Sequence, residues 1–298
     1  MAVQIPFRRD LVFEYGVADT LSPGIRRVIA KNPSHFTFHG TGTYIVGKGK
    51  VAVIDPGPDL PAHVDALLAA LRGETVTHIL ITHTHIDHSP GAAAFKTATG
   101  AKTYGFGPHP RHKPGMVAEE GGDMGFVPDV VVQDGDVIEG QGWTMDALHT
   151  PGHISNHLCF ALREEQVLFS GDHVMGWSTS VISPPDGDMG SYFASLKKLL
   201  PRQDRLYFPT HGSPIPDPQA YVRLFISHRE DREAQILKCI SDGVGTIPAM
   251  VEIMYRDVPQ QLHRAAARSV LAHLIHMQRT GRVVAEGATG ETAVYRLP

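Results

Sequence analysis

Apolar residues along this chain arrive in short runs, each ended by glycine, proline or a polar turn. Residues 51–54 (Val-Ala-Val-Ile), 77–82, 129–132, 143–148, 166–170 and 206–209 have the length and β-branched or aromatic content of buried strands. Residues 36–39 and 43–46 read the same way. Between them, residues 60–71 carry apolar positions at helical spacing, and 91–99 is an alanine-rich segment that predicts a short helix ahead of a strand at 101–105. This alternation predicts an α/β domain.

After Pro218 the pattern changes. Residues 221–240 predict a long, charge-rich helix, 247–255 a short one and 262–279 a third, which Gly281 ends. Residues 282–285 and 292–296 then flank a glycine-rich turn as a hairpin. Three helices and a hairpin describe a winged helix, so the chain divides into domains at 1–220 and 221–298.

Several of these strands share one habit: they deliver a histidine or aspartate to a turn beside glycine. Asp55 follows 51–54, His149 and His153 follow 143–148, Asp172 and His173 follow 166–170, and His211 follows 206–209. The densest case is Thr-His-Thr-His-Ile-Asp-His, where His83, His85, Asp87 and His88 fall within six positions. His83 and His85 alternate in an extended segment and point one way, while Asp87 and His88 lie past the turn. That arrangement suits two adjacent metals. With 18 histidines and only Cys159 and Cys239 for thiols, imidazole and carboxylate must hold them.

Composition narrows the rest. A net charge of -4 argues against nucleic acid or an anionic membrane as obligatory partners. No run of 18 apolar residues or signal-like start is present, so a cytoplasmic location without membrane partner is expected. The insertion at 106–127 is glycine- and proline-rich; its His109, Arg111, His112 and Lys113 could receive an anionic group. His149 is expected to help or brace rather than ligate, and His157 and His173 to pack beside the site.

Taken together and in order, the motifs Asp-Pro-Gly, Thr-His-Thr-His-Ile-Asp-His, His-Thr-Pro-Gly-His, Ser-Gly-Asp-His and Thr-His-Gly-Ser resemble those of the metallo-β-lactamase superfamily, from about residue 36 to 214. The resemblance implies an αββα sandwich with two zinc ions per chain at one edge. Carried over by position, His83, His85 and His153 would hold one zinc, Asp87, His88 and His211 the other, and Asp172 would bridge them. Asp55 would accept the hydrogen bonds that fix the ligand loop, and Asp87 would be the catalytic residue that orients the attacking hydroxide. His85 stands where the redox di-iron branch carries glutamate, which disfavours that chemistry.

The tail resembles the winged-helix appendage of the subfamily of β-lactamase-like protein 2, which includes endoribonucleases and fungal polyketide thioesterases. From residue 225 onward nine Lys/Arg stand against eight Asp/Glu, far from the basic footprint of a phosphate-tracking surface. The expected function is therefore a zinc hydrolase acting on a small ester, thioester or lactone as its partner molecule. An endoribonuclease for single-stranded RNA and a non-catalytic nucleic-acid-binding winged helix are the alternatives, and a homodimer is compatible with all three.

Overall fold

In the computed structural model, which describes residues 3–111 and 121–298, two β-sheets pack face to face with helices on both outer sides. The first sheet runs β1 (Asp19–Ser22), β2 (Ile25–Ile29), β3 (Gly42–Val46), β4 (Lys50–Ile54), β5 (Thr75–Leu80), β6 (Lys102–Gly105) and β7 (Val130–Val131) in chain order. Its first four strands pair antiparallel and the rest parallel, the parallel crossovers being α1 (Pro61–Ala70) and α2 (Gly91–Thr99).

The second sheet contains β8 (Val137–Gly140), β9 (Trp143–His149), β10 (Leu158–Leu162), β11 (Val167–Gly171), β12 (Leu206–Pro209) and β13 (Ile215–Pro216). Helices α3 (Met189–Leu199) and α4 (Pro218–Ser241) cover it. Alternation in each strand explains the layers. Tyr44 and Val46 of β3 join Leu158, Phe160 and Leu162 of β10 between the sheets, while Ile45 turns outward to Leu67 and Phe95. Cys159 and Ala161 face Tyr192, Leu196 and Phe225 on the opposite side. The expected αββα sandwich is present.

The tail adds α5 (Ile247–Met254), α6 (His263–Arg279) and the hairpin β14 (Val284–Glu286) and β15 (Val294–Arg296). Helix α4 serves two cores. Tyr221, Val222, Phe225 and Ile226 belong to the core under the second sheet, and Ile236, Cys239 and Ile240 to that of the tail. No helix among the described residues is long and apolar enough to cross a membrane.

Two local readings need correction. Residues 36–39 form no strand, because Ser34 and Thr37 side chains bond to the backbone within 32–37 and curl it into a turn with Phe38 at φ 56°. Helix α3 is encoded by the spacing of Met189, Tyr192, Phe193, Leu196 and Leu199, with Asp188 as its N-cap, yet it is absent from the strand-by-strand reading.

Candidate metal centre

Strands β4 and β5 run parallel, so the turns after both open at the same sheet edge. Asp55 leaves β4 in a left-handed conformation, φ 50°, that aims its carboxylate across at the next turn. Its Oδ1 accepts from the Thr82 amide at 2.8 Å and its Oδ2 from the Thr82 hydroxyl at 2.7 Å. The same Oδ2 lies 2.9 Å from His88 Nδ1. The hydroxyl of Thr82, already donating to Asp55, can only accept from His83 Nδ1, 3.0 Å away. One buried aspartate therefore fixes the ring orientation and tautomer of two histidines.

The remaining rings are pinned in the same manner. His153 Nδ1 donates to the Val181 carbonyl at 2.6 Å, and His211 Nδ1 to the Gly40 carbonyl at 3.1 Å. In each case Nε2 is the ring nitrogen left facing the other candidate ligands. His83 Nε2 and His153 Nε2 both stand 3.0 Å from His85 Nδ1, so three ring nitrogens converge. On the other side His211 Nε2 is 3.2 Å and His88 Nε2 3.4 Å from Asp87 Oδ2. Asp172 Oδ2 faces both groups, 3.5 Å from His211, 3.6 Å from His88 and 3.9 Å from His153.

These seven donors form overlapping groups able to hold metal: His83, His85 and His153; His83, His88 and Asp172; Asp87, His88 and His211. His88 Nε2, His211 Nε2 and Asp172 Oδ1 are buried with no hydrogen-bond partner among the described residues. Such atoms are costly unless something binds them. Charge points the same way. Burial would raise Asp87 and Asp172, but the facing His88 and His211 hold both far below the usual carboxylate range. Burial would lower His211, yet Asp172 and Asp87 push it up to about 10, and His88 rises for the same reason. Two ionised carboxylates facing the same imidazoles demand cations, and a donor set of imidazoles and carboxylates fits metal ions.

The turn residues are dictated by close approach. Gly152, between Pro151 and His153, sits at φ 145° with the Tyr192 backbone where a Cβ would be, 2.5 Å away, so α3 lies directly on the His-Thr-Pro-Gly-His turn. His157 packs behind the site as expected. Its Nε2 accepts from the Asp172 amide at 3.1 Å and its Nδ1 faces the Thr150 hydroxyl at 2.9 Å. Burial, with His173 and His153 adding, drives His157 well below the ordinary histidine value, so it stays neutral. His173 is buried edge-on to Tyr192. His149 braces the turn, stacked on Phe106 with Nε2 2.8 Å from the Ser155 carbonyl.

His109 is not presented to solvent as the sequence suggests. It is buried with Nδ1 2.9 Å from the Thr84 hydroxyl, and Gly122 lies flat against its ring. Arg111 is exposed, and His112 and Lys113 fall outside the described residues. No spacing or motif announces the aromatic rim beside His211. Phe38 stacks on Trp177 with ring centroids 4.8 Å apart, and Trp177 presses on Gly212. Only tertiary contact brings residues 38 and 177 together.

Residues 37–211 match the family described as the Metallo-beta-lactamase superfamily, and 246–291 match the beta-lactamase associated winged helix domain. The chain is similar to the lactamase-like protein adaB of Aspergillus niger, 29% identical with 89% of this chain and 87% of that one covered. It is also similar to an atrochrysone carboxyl ACP thioesterase of Aspergillus chevalieri, 30% identical with 86% and 80% covered. A beta-lactamase domain protein from Burkholderia ambifaria has the same fold, with TM-score 0.80 at 19% identity over 99% of this chain and 97% of that one.

Proposed function

The chain belongs to the metallo-beta-lactamase superfamily, and on that premise we propose that it is a two-zinc hydrolase of acyl thioesters. The observation that carries the reading is Asp172, one carboxylate oxygen of which faces two groups of metal-competent donors. His83, His85 and His153 would hold one ion, Asp87, His88 and His211 the other, with Asp172 common to both. Imidazole and carboxylate without thiolate suit zinc in a hydrolytic role. Bound there, the metal pair supplies Lewis acidity that polarises the scissile carbonyl and makes water acidic near neutral pH.

The chain's own residues supply position and proton transfer. Asp87 keeps 18% of its side-chain surface open while Asp172 keeps 7% and His88 and His211 none, so incoming water meets Asp87. As an ionised carboxylate it orients that water by accepting a hydrogen bond and passes the proton on to the leaving thiolate. One water is consumed; the acyl–sulfur bond breaks, and a carboxylic acid and a thiol result. The stacked Phe38 and Trp177 offer a flat apolar wall to the acyl group.

Support for a thioester comes from the relatives named as acyl carrier protein thioesterases. The near-neutral tail supports a small acyl substrate over RNA. The test measures thiol release from a panel of aliphatic and aromatic acyl thioesters of coenzyme A and N-acetylcysteamine. Zinc-loaded protein should turn over at least one of them, a chelator should abolish the activity, and zinc should restore it. Cleavage of single-stranded RNA with every thioester left intact would overturn the proposal.

A further inference from the structure

We infer that the winged-helix domain is a positioning element of the metal centre: its arginines set the segment 180–188, and that segment sets the ring of His153. The inference rests on the reading of His153 as a metal ligand and gives the C-terminal domain a part in that same site.

The first link is the ring itself. His153 Nδ1 is held by the Val181 carbonyl at 2.6 Å, and this bond leaves Nε2 directed at His85. The turn carrying His153 is tied to the same segment at two further points. The Asp188 amide donates to the Gly152 carbonyl at 2.9 Å, and the Ser155 amide to Asp186 Oδ2 at 2.7 Å. Whatever places residues 181–188 therefore places His153.

The second link is what holds the segment. Residues 181–188 belong to no helix or strand, so no ladder of backbone bonds fixes them. Ile182 is buried in the core under the second sheet and the Ser180 hydroxyl donates to the His173 carbonyl at 2.9 Å, while the remaining anchors come from the C-terminal helices. Arg268 of α6 donates through Nε to the Ser183 hydroxyl at 2.7 Å and through Nη2 to the Pro184 carbonyl. Arg279, at the end of α6, pairs with Asp188. Arg229 of α4, buried against the Tyr192 ring, donates to the Ser180 carbonyl at 2.5 Å. A guanidinium presents its donors as a rigid fork, so Arg268 fixes two acceptors of the loop relative to each other, which a flexible ammonium cannot do. Arg268 and Arg279 of α6 are thus both turned towards the loop that holds His153.

Partners that hold a ligating histidine typically carry about 10–100-fold of metal affinity. The test is titration of the full chain with cobalt(II), following its visible ligand-field bands. Arg268→Ala, Arg268→Lys and Ser183→Ala are compared with wild type and with Arg264→Ala, an exposed arginine on the same helix. Arg268→Ala should lose roughly tenfold or more in cobalt(II) affinity and change the band positions, while its melting temperature stays near that of Arg264→Ala. Arg268→Lys should recover part of the loss, and Ser183→Ala should shift affinity in the same direction by less. Wild-type affinity and spectrum in both Arg268→Ala and Ser183→Ala would overturn the inference. Should Arg268→Ala fail to fold, Ser183→Ala decides by the same criterion. Wild-type protein that binds no cobalt(II) would instead overturn the metal-centre reading on which the inference stands.

Discussion

Asp55 Oδ2 lies 2.9 Å from His88 Nδ1, a contact shut off from solvent and reaching from the end of β4 to the far side of the ligand loop. The same carboxylate takes both the amide and the hydroxyl of Thr82. It thus acts on His83 as well as His88, without facing the metal cavity itself. Asp55→Asn keeps the size of the side chain but puts an amide NH2 where an acceptor is needed. The variant is expected to fold with lowered stability and to lose about 10–100-fold in metal affinity. Elemental analysis after dialysis against a weak chelator checks this; wild-type metal retention would show that Asp55 orients nothing.

Asp87→Asn separates binding from chemistry. The amide remains a weak oxygen ligand, but it neither accepts a proton nor carries the charge that faces His88 and His211. Thioester hydrolysis is expected to fall by about 10²–10⁴-fold in kcat, the range of a positioned proton-transfer group. The fold should be kept, because Asp87 lies in a loop at the site's open side. Equal kcat in wild type and variant at matched metal content would remove Asp87 from the mechanism.

The candidate ligands were legible because each lies in a turn that follows an apolar strand, and parallel neighbours such as β4 and β5, or β11 and β12, open those turns at one edge of their sheet. His83, His153, Asp172 and His211 could be gathered from strand ends alone. What holds them was legible only where a side chain does it, as with Asp55. Val181 and Gly40 act through their carbonyls, which every residue possesses, so no residue type announces them. His109 in the insertion lies elsewhere than its sequence suggests for a related reason. His109 has the composition of a surface cation, yet Thr84 and Gly122 enclose it, and enclosure is a property of the fold.

Gly152→Ala should report how tightly α3 seats the His153 turn. The added carbon would meet the Tyr192 backbone at 2.5 Å, and φ 145° is strained for any side chain. Neither obstacle is a flexible side chain that can move aside. A loss of roughly 2–4 kcal/mol in unfolding free energy is expected, with metal affinity falling as well. Chemical denaturation gives the first number, and an unchanged midpoint would contradict the contact.

Acid should weaken the C-terminal domain through Glu233. Burial would raise its pKa, but bonds from His273, His276 and Arg282 outweigh burial and hold it at about 2 against an ordinary 4.5. A carboxylate whose pKa is lowered in the folded state stabilises above the unfolded value, and loses that contribution as pH falls from 4.5 towards about 2. Glu233→Gln should therefore be less stable than wild type at pH 7 by about 1–3 kcal/mol. The gap should narrow as pH drops through that window. Parallel stability–pH curves for the two proteins would show that the ion cluster contributes nothing.

The last expectation concerns RNA. On α6, Arg268 and Arg279 are spent on Ser183, Pro184 and Asp188, which leaves Arg264 as the exposed arginine at the start of that helix. Arg282 pairs with Glu233. A surface that tracks phosphates must offer several cations at once, and each phosphate neutralised adds about 0.7 to the salt slope of single-strand binding. This tail should therefore bind single-stranded RNA weakly, with a slope of about 0.7 or less, and Arg264→Ala should remove most of what slope there is. Fluorescence anisotropy with a labelled oligonucleotide across a salt series measures both. Tight binding with a steep slope that flattens more in an Arg264→Ala, Arg268→Ala double variant than in Arg264→Ala alone would mean that Arg268 leaves its loop to meet phosphate. Such binding would argue for the ribonuclease reading and against Arg268 as the anchor of the loop, since an arginine engaged with RNA cannot at the same time hold Ser183 and Pro184.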